Sequence, residues 1–205
     1  MEIYKIEEYK KNRRLVYLSE DAPAFCLYSR EIKQFDLTEG EGLSGETFEE
    51  IMELLKKRAR ERTLYLLDDM PRTEGQIRKK LRESYYPEEA IEAALEYCRK
   101  KHYVDDLDYA LRYIEEKSSK LSGRMIERKL FERYIDKETI EAAFSKCEIS
   151  ESDTVRGLIS RKYGDISGLS FEERQKIIKR MLAKGFSYDS IRSAVSETED
   201  RDSLT

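Results

Sequence analysis

The stretch IRKKLRESYYPEEAIEAAL at residues 77–95 returns at residues 126–144 as IERKLFERYIDKETIEAAF, and this self-similarity constrains the fold more than any other feature. A shift of 49 residues pairs Ile77 with Ile126, Leu81 with Leu130, Tyr85 with Tyr134, Ile91 with Ile140, Ala94 with Ala143, Leu95 with Phe144 and Cys98 with Cys147. A further shift of 51 carries the register to Ile177, Met181, Gly185, Ile191, Ala194 and Val195. The matched positions are mostly apolar at helical spacing, so each copy is a packing unit whose core-facing residues recur.

Capping residues divide each copy into helices. Thr73 with Gln76 and Ser170 with Glu173 fit the capping box, in which a hydroxyl accepts from a first-turn N–H and the later side chain reaches back; Ser122 starts the middle copy less completely. The next helix begins at Pro87 with Glu88 and Glu89, at Asp136 and at Ser187. A third helix precedes each pair, over roughly 56–69, 106–118 and 151–163, with Asp105 or Asp106 and Ser150 as N-caps. Before the repeats, residues 2–9, 14–19 and 24–29 read as strands of a small meander, followed by a short helix from Arg30 to Phe35 and the loop TEGEGLSG. The expectation is a mainly α protein: three tandem three-helix repeats forming an elongated curved array behind a small N-terminal β-rich leader. The boundaries are a leader at 1–55, repeats at 56–104, 105–148 and 149–196, and a polar tail at 197–205.

Charge is abundant but nearly balanced: charged residues make up 40% of the chain and the net is −4. That composition fits solvated helix faces and excludes a single-sign polyelectrolyte. Residues 1–55 carry a net −6, whereas residues 56–135 carry +4. At about 100° per residue, Lys79, Arg128 and Lys179 point about 160° away from the apolar stripe, while Lys80, Lys129 and Arg180 lie on its flank. A dibasic pair thus recurs in each unit, with Arg78, Arg82, Arg124, Arg133, Lys176 and Lys184 around it. The candidate partner- or phosphate-binding set is Arg78, Lys79, Lys80, Arg82, Arg124, Arg128, Lys129, Arg133, Lys179 and Arg180. Tyr85, Tyr97, Tyr109 and Tyr134 are assigned to core packing.

Other chemistry finds little support. Cys26, Cys98 and Cys147 have no CxxC spacing, so neither a disulfide framework nor a zinc site is indicated, and Cys98 and Cys147 read as small core residues. Asp68–Asp69 and Asp105–Asp106 fall at helix ends, where aspartate caps or terminates. His102 is the only histidine and sits near a helix end. No Ser–His–Asp set, GxxxxGK[ST] or GxGxxG loop is present. No catalytic, cofactor or metal role is therefore expected. No stretch reaches the ~18 apolar residues of a membrane span, and MEIYKIEEYKK lacks a secretory apolar run, which places the protein in the cytoplasm.

The block TEGQIRKKLRESYYPEEAIEAALEYCRKKHYVDDLDYA, residues 73–110, resembles the bacterial RecX regulatory proteins. The likeness lies in a basic amphipathic helix, an aromatic-containing turn, an E-E-A-I helix and the junction Tyr103–Val104–Asp105–Asp106 with Tyr109–Ala110. It continues through SGRMIERKLFERYIDKETIEAAF, residues 122–144. The resemblance implies a non-enzymatic regulator that lodges in the groove of the RecA–single-stranded DNA filament and spans neighbouring protomers; the chain itself is expected to be a monomer. Such a regulator limits RecA ATP hydrolysis, strand exchange or filament growth. The alternative reading is a helical-repeat protein that binds DNA directly and acts independently of RecA.

Overall fold

The computed structural model describes residues 1–166 and 168–200, with side chains described through residue 195. The last five residues of the expected polar tail, 201–205, lie outside the described residues. The chain is mainly helical with a small three-stranded antiparallel sheet, and it divides after Asp105 into two units.

In the first unit, β1 (Lys5–Lys10), β2 (Arg13–Tyr17) and β3 (Pro23–Tyr28) form a meander in the order β1-β2-β3. Val16 stands opposite both Ile6 and Phe25, so apolar side chains meet across the ladder. A short α1 (Ser29–Gln34) leads to α2 (Gly45–Asp69), α3 (Glu74–Arg82) and α4 (Glu88–Lys100). Ile3, Val16, Phe25 and Leu27 of the leader share one core with Ile51, Leu55 and Ala59 of α2 and with Ile77, Leu81, Ile91 and Leu95 of the helix pair. The leader therefore completes the core of the first repeat.

That shared core explains a correction. The first helix of repeat 1 starts at Gly45, capped by the Ser44 hydroxyl accepting from the Thr47 N–H at 3.0 Å, and not near residue 56. Its added turns carry Ile51, Met52 and Leu55, which back the sheet. The other copies have no sheet to cover, so the comparison between copies could not reveal those turns.

The second unit contains α5 (Asp106–Ser118), α6 (Gly123–Phe131), α7 (Lys137–Ser145), α8 (Glu151–Tyr163), α9 (Phe171–Ala183) and α10 (Tyr188–Asp200). It has two cores: Ala110, Ile114, Ile126, Leu130, Ile135, Ile140 and Ala143 in one, and Val155, Ile159, Ile166, Ile177, Met181, Phe186, Ile191 and Ala194 in the other. Of the sequence-paired positions, Ile126, Leu130, Ile140 and Ala143 fall in the first of these cores and Ile177, Met181, Ile191 and Ala194 in the second, whereas Tyr134 does not.

Each helix pair turns through a left-handed residue at the same place: Tyr85 (φ 60°), Tyr134 (φ 64°) and Gly185 (φ 85°). This corrects the reading of Tyr134 as a core residue. Helix α6 ends at Phe131, so the 3.6-residue period no longer governs position 134, and its ring is 52% exposed while Ile135 turns inward. Tyr85, at the equivalent turn, stays partly covered because the leader supplies Tyr9, whose ring centroid lies 5.1 Å away, edge to face.

Repeats 2 and 3 meet at a close seam inside this unit. A Cβ built at Gly185 would lie 2.4 Å from Met125 Cγ and 2.6 Å from Ser122 Oγ. Alongside, the Gly123 N–H donates to Glu151 Oε1 at 3.2 Å, Ser190 Oγ donates to Glu151 Oε2 at 3.2 Å, and Thr154 Oγ1 donates to the Ser118 carbonyl at 3.2 Å. The incomplete cap at Ser122 is thereby explained. Ser122 accepts from Met125 N–H, but position 125 is methionine and cannot reach back, so the Ser122 N–H goes to the Lys184 carbonyl at 3.5 Å, while Glu151 of α8 takes the adjacent Gly123 N–H.

Candidate functional site

The basic helices are positioned by their caps. Thr73 and Ser122, both fully buried, accept from Gln76 N–H and Met125 N–H, and Ser170 accepts from Glu173 N–H. Ile77 with Leu81, Ile126 with Leu130 and Ile177 with Met181 then fix the rotation of α3, α6 and α9 by burying one stripe of each. The opposite faces carry the cations.

On α3, Lys79, Lys80 and Arg82 are exposed, and Arg78 is partly covered by α4. Arg78 ion-pairs with Glu88 and, at 2.5 Å, with Glu92; Arg82 reaches Glu88 at 2.8 Å, and Lys80 reaches Glu83 at 3.0 Å. Glu92 is held below the usual glutamate range, first by the hydrogen bond from Arg78, and Arg78 is raised in return, first by Glu92. The cationic face of repeat 1 is therefore edged by the carboxylates of α4.

On α6, Arg124 and Arg128 stand with Phe131 on one exposed surface, beside Glu127 and Glu132. Arg128 pairs with Glu132 at 3.0 Å, and among the described residues no ion pair involves Arg124 or Lys129. Arg133 is turned away from that surface. It donates to Tyr109 Oη at 3.2 Å and to the Lys129 carbonyl at 2.8 Å, with its guanidinium 4.5 Å from the Tyr113 ring centre. On α9, Lys179 and Arg180 are exposed, and Arg180 donates to Tyr163 Oη at 2.7 Å. The sequence-derived set thus divides into outward cations on α3, α6 and α9, of which Arg180 also reaches a tyrosine of its own repeat, and the turn residue Arg133, which is only half-exposed and held against Tyr109 and Tyr113.

The sequence reading passed over a second basic cluster, in the first unit. The Arg13, Arg30 and Arg58 guanidiniums lie 5.3, 6.0 and 4.7 Å from the Tyr28 ring centre. Glu31, buried, accepts from the Tyr28 N–H at 2.8 Å and pairs with Arg58. Arg13, Tyr28, Arg58 and Tyr86 line one small pocket, where burial pushes the Tyr86 hydroxyl up. Further along α2, Arg62 lies 5.1 Å from the ring centre of Tyr65, which is 67% exposed. The sequence signal was the run KKRARER at 56–62, whose arginines at 58 and 62 share a helix face.

Among the described residues, no group of three or more His, Cys, Asp or Glu could hold a metal ion, and no helix is long and apolar enough to cross a membrane. His102 occupies a left-handed position (φ 55°) just after α4.

Comparison with known proteins places this architecture. Residues 59–98 match the family model for the first three-helix domain of RecX, and residues 150–195 match that for the third three-helix domain of RecX. The chain is 26% identical over 205 residues to the regulatory protein RecX of Clostridium botulinum strain Alaska E43, covering 95% of each chain. A crystal structure of a regulatory protein RecX superposes with a TM-score of 0.60 at 25% identity, covering 94% of this chain and 98% of that one. The RecX structure from Lactobacillus salivarius, at 22% identity and a TM-score of 0.61, covers 71% of this chain and 97% of that one and shares the fold. With its leader, its repeated helix pairs and these matches along its length, the chain belongs to the RecX family of regulatory proteins.

Proposed function

We propose that this chain, acting as a cytoplasmic monomer, binds in the groove of the RecA–single-stranded DNA filament and lowers RecA ATP hydrolysis, strand exchange and filament growth. The observation that carries the reading is the recurrence of outward cations on α3, α6 and α9 in a chain of the RecX family. Three copies of one unit distribute contacts over neighbouring filament subunits, and linked weak contacts raise the overall affinity without any one strong site.

The intramolecular ion pairs do not oppose this. Exposed pairs such as Lys80–Glu83 and Arg128–Glu132 contribute little net stability, so a filament carboxylate or phosphate can replace the glutamate. Lys79, Lys80, Arg128, Lys129, Lys179 and Arg180 are the proposed contacts, with Arg78, Arg82 and Arg124 at their margins. Arg133 holds its helix against Tyr109 and contributes through position.

The test is RecA ATPase activity on single-stranded DNA, with wild type beside the four-charge reversal K79E/K80E/R128E/K129E. Wild type is expected to inhibit, and the reversal to need at least about tenfold more protein for the same inhibition, equivalent to about 1.4 kcal/mol of lost contact. Absence of any wild-type effect across a wide concentration range ends the filament reading. Equal inhibition by both proteins removes the basic track as the contact surface.

A further inference from the structure

The arginine–tyrosine cluster of the first unit lies outside the segments that match between repeats: Arg13, Tyr28 and Arg30 are in the leader, and Arg58, Arg62 and Tyr65 are on α2, before the matched register begins at Ile77. Residues 1–55 carry a net −6, so a generally basic segment does not account for Arg13 and Arg30 meeting Arg58 of α2 around one ring. The carboxylate within the cluster, Glu31, is already engaged by Arg58 and the Tyr28 N–H. A guanidinium carries five donors, and the Arg13 contact to Tyr28 Oη is long, at 3.4 Å. Donor capacity therefore remains for an anion.

Beside the cluster is a cavity of about 380 Å³ lined by Asn12, Tyr28, Ser29 and Arg30. The Ser29 hydroxyl oxygen is buried and lacks a hydrogen-bond partner. From Arg58 to Tyr65 the helix rises about 10 Å, at ~1.5 Å per residue. That spans about two or three nucleotides of a strand at ~3.4 Å or more per nucleotide. At the far end, the exposed Tyr65 ring with Arg62 upon it offers a flat platform.

We propose that this face of the first unit is a binding site for single-stranded polynucleotide, with backbone phosphate held by Arg13, Arg30 and Arg58 and a base stacked on Tyr65 beside Arg62. Planar guanidiniums match phosphate oxygens, and an aromatic face accepts a base only when that base is unstacked, which favours a single strand over a duplex or an acidic peptide. The site requires no recombinase, so it stands or falls separately from the filament reading.

The experiment is fluorescence anisotropy of labelled oligo-dT with the full-length protein and no RecA, across a salt series. The variants R30E/R62E and Y65A change exposed side chains only, and far-UV circular dichroism checks that they fold. The site predicts at least a tenfold weakening by R30E/R62E with a shallower salt dependence. It predicts a weakening of about fivefold or more by Y65A, the low end of base–aromatic stacking. Unlabelled oligo-dT and oligo-U are expected to compete, separating a phosphate-and-base site shared by both sugars from a deoxyribose-specific one. Unchanged affinity in R30E/R62E, or duplex DNA or polyglutamate competing as well as single strand, overturns the proposal.

Discussion

Replacing Gly185 with alanine tests how tightly repeats 2 and 3 meet at their seam. Two costs combine. The backbone is left-handed, with φ 85°, a conformation that costs a residue bearing a Cβ about 1 kcal/mol or more. The new methyl would also sit 2.4 Å from Met125 Cγ and 2.6 Å from Ser122 Oγ, well inside contact distance. Relieving that overlap by overpacking costs about 1–3 kcal/mol, and displacing the Ser122 hydroxyl from the Met125 N–H removes a cap worth about 1 kcal/mol. The expected loss is about 3–5 kcal/mol, borne by the second unit. Urea unfolding monitored by circular dichroism gives the midpoint, and amide exchange at Met125 reports the cap directly. Tyr134→Gly is the paired control: the same turn position one repeat earlier already accommodates a side chain at φ 64°, so removing it should change stability by less than about 1 kcal/mol. A Gly185→Ala protein that unfolds at the wild-type midpoint with unchanged exchange at Met125 would refute the seam.

Three further outcomes follow from the same structure. Thr73→Ala removes a fully buried cap that accepts from Gln76 N–H, and should cost the first unit about 1–2 kcal/mol by urea titration; a neutral result would mean that water replaces the hydroxyl. Arg58→Ala strands the buried Glu31 carboxylate, with an expected loss of about 3 kcal/mol, and Arg58→Ala/Glu31→Gln should recover part of it; no recovery means that lost packing rather than the unpaired charge dominates. The Asp136 carboxylate is held below the ordinary aspartate value, first by the Thr139 N–H and then by its hydroxyl. A folded value below the unfolded one gives stability that is present above about pH 4 and lost as pH falls through the folded value. Asp136→Asn keeps a capping oxygen without titrating, so its urea midpoint should fall less than that of wild type between about pH 5 and pH 3; equal falls would exclude Asp136 from acid destabilisation.

By itself, the sequence determined the repeated helix pairs, their caps and the apolar stripes at Ile77, Ile126 and Ile177, because these depend on local geometry: a 3.6-residue period and N–H groups that must find acceptors within one turn. It also placed Lys79, Arg128 and Lys179 on outward faces, since helical phase alone decides that. Tertiary structure decided what depends on neighbours far along the chain. The start of α2 at Gly45 follows from a sheet that needs covering, and the exposure of Tyr134, unlike Tyr85, follows from the absence of a leader beside it. The first N–H groups of α6 find their acceptors in repeat 3, at the Lys184 carbonyl and Glu151, and glycine rather than tyrosine stands at 185 because Met125 and Ser122 leave no room for a Cβ. The gathering of Arg13, Arg30 and Arg58 about Tyr28 likewise joins a strand, a short helix and a long helix that only the folded core brings together.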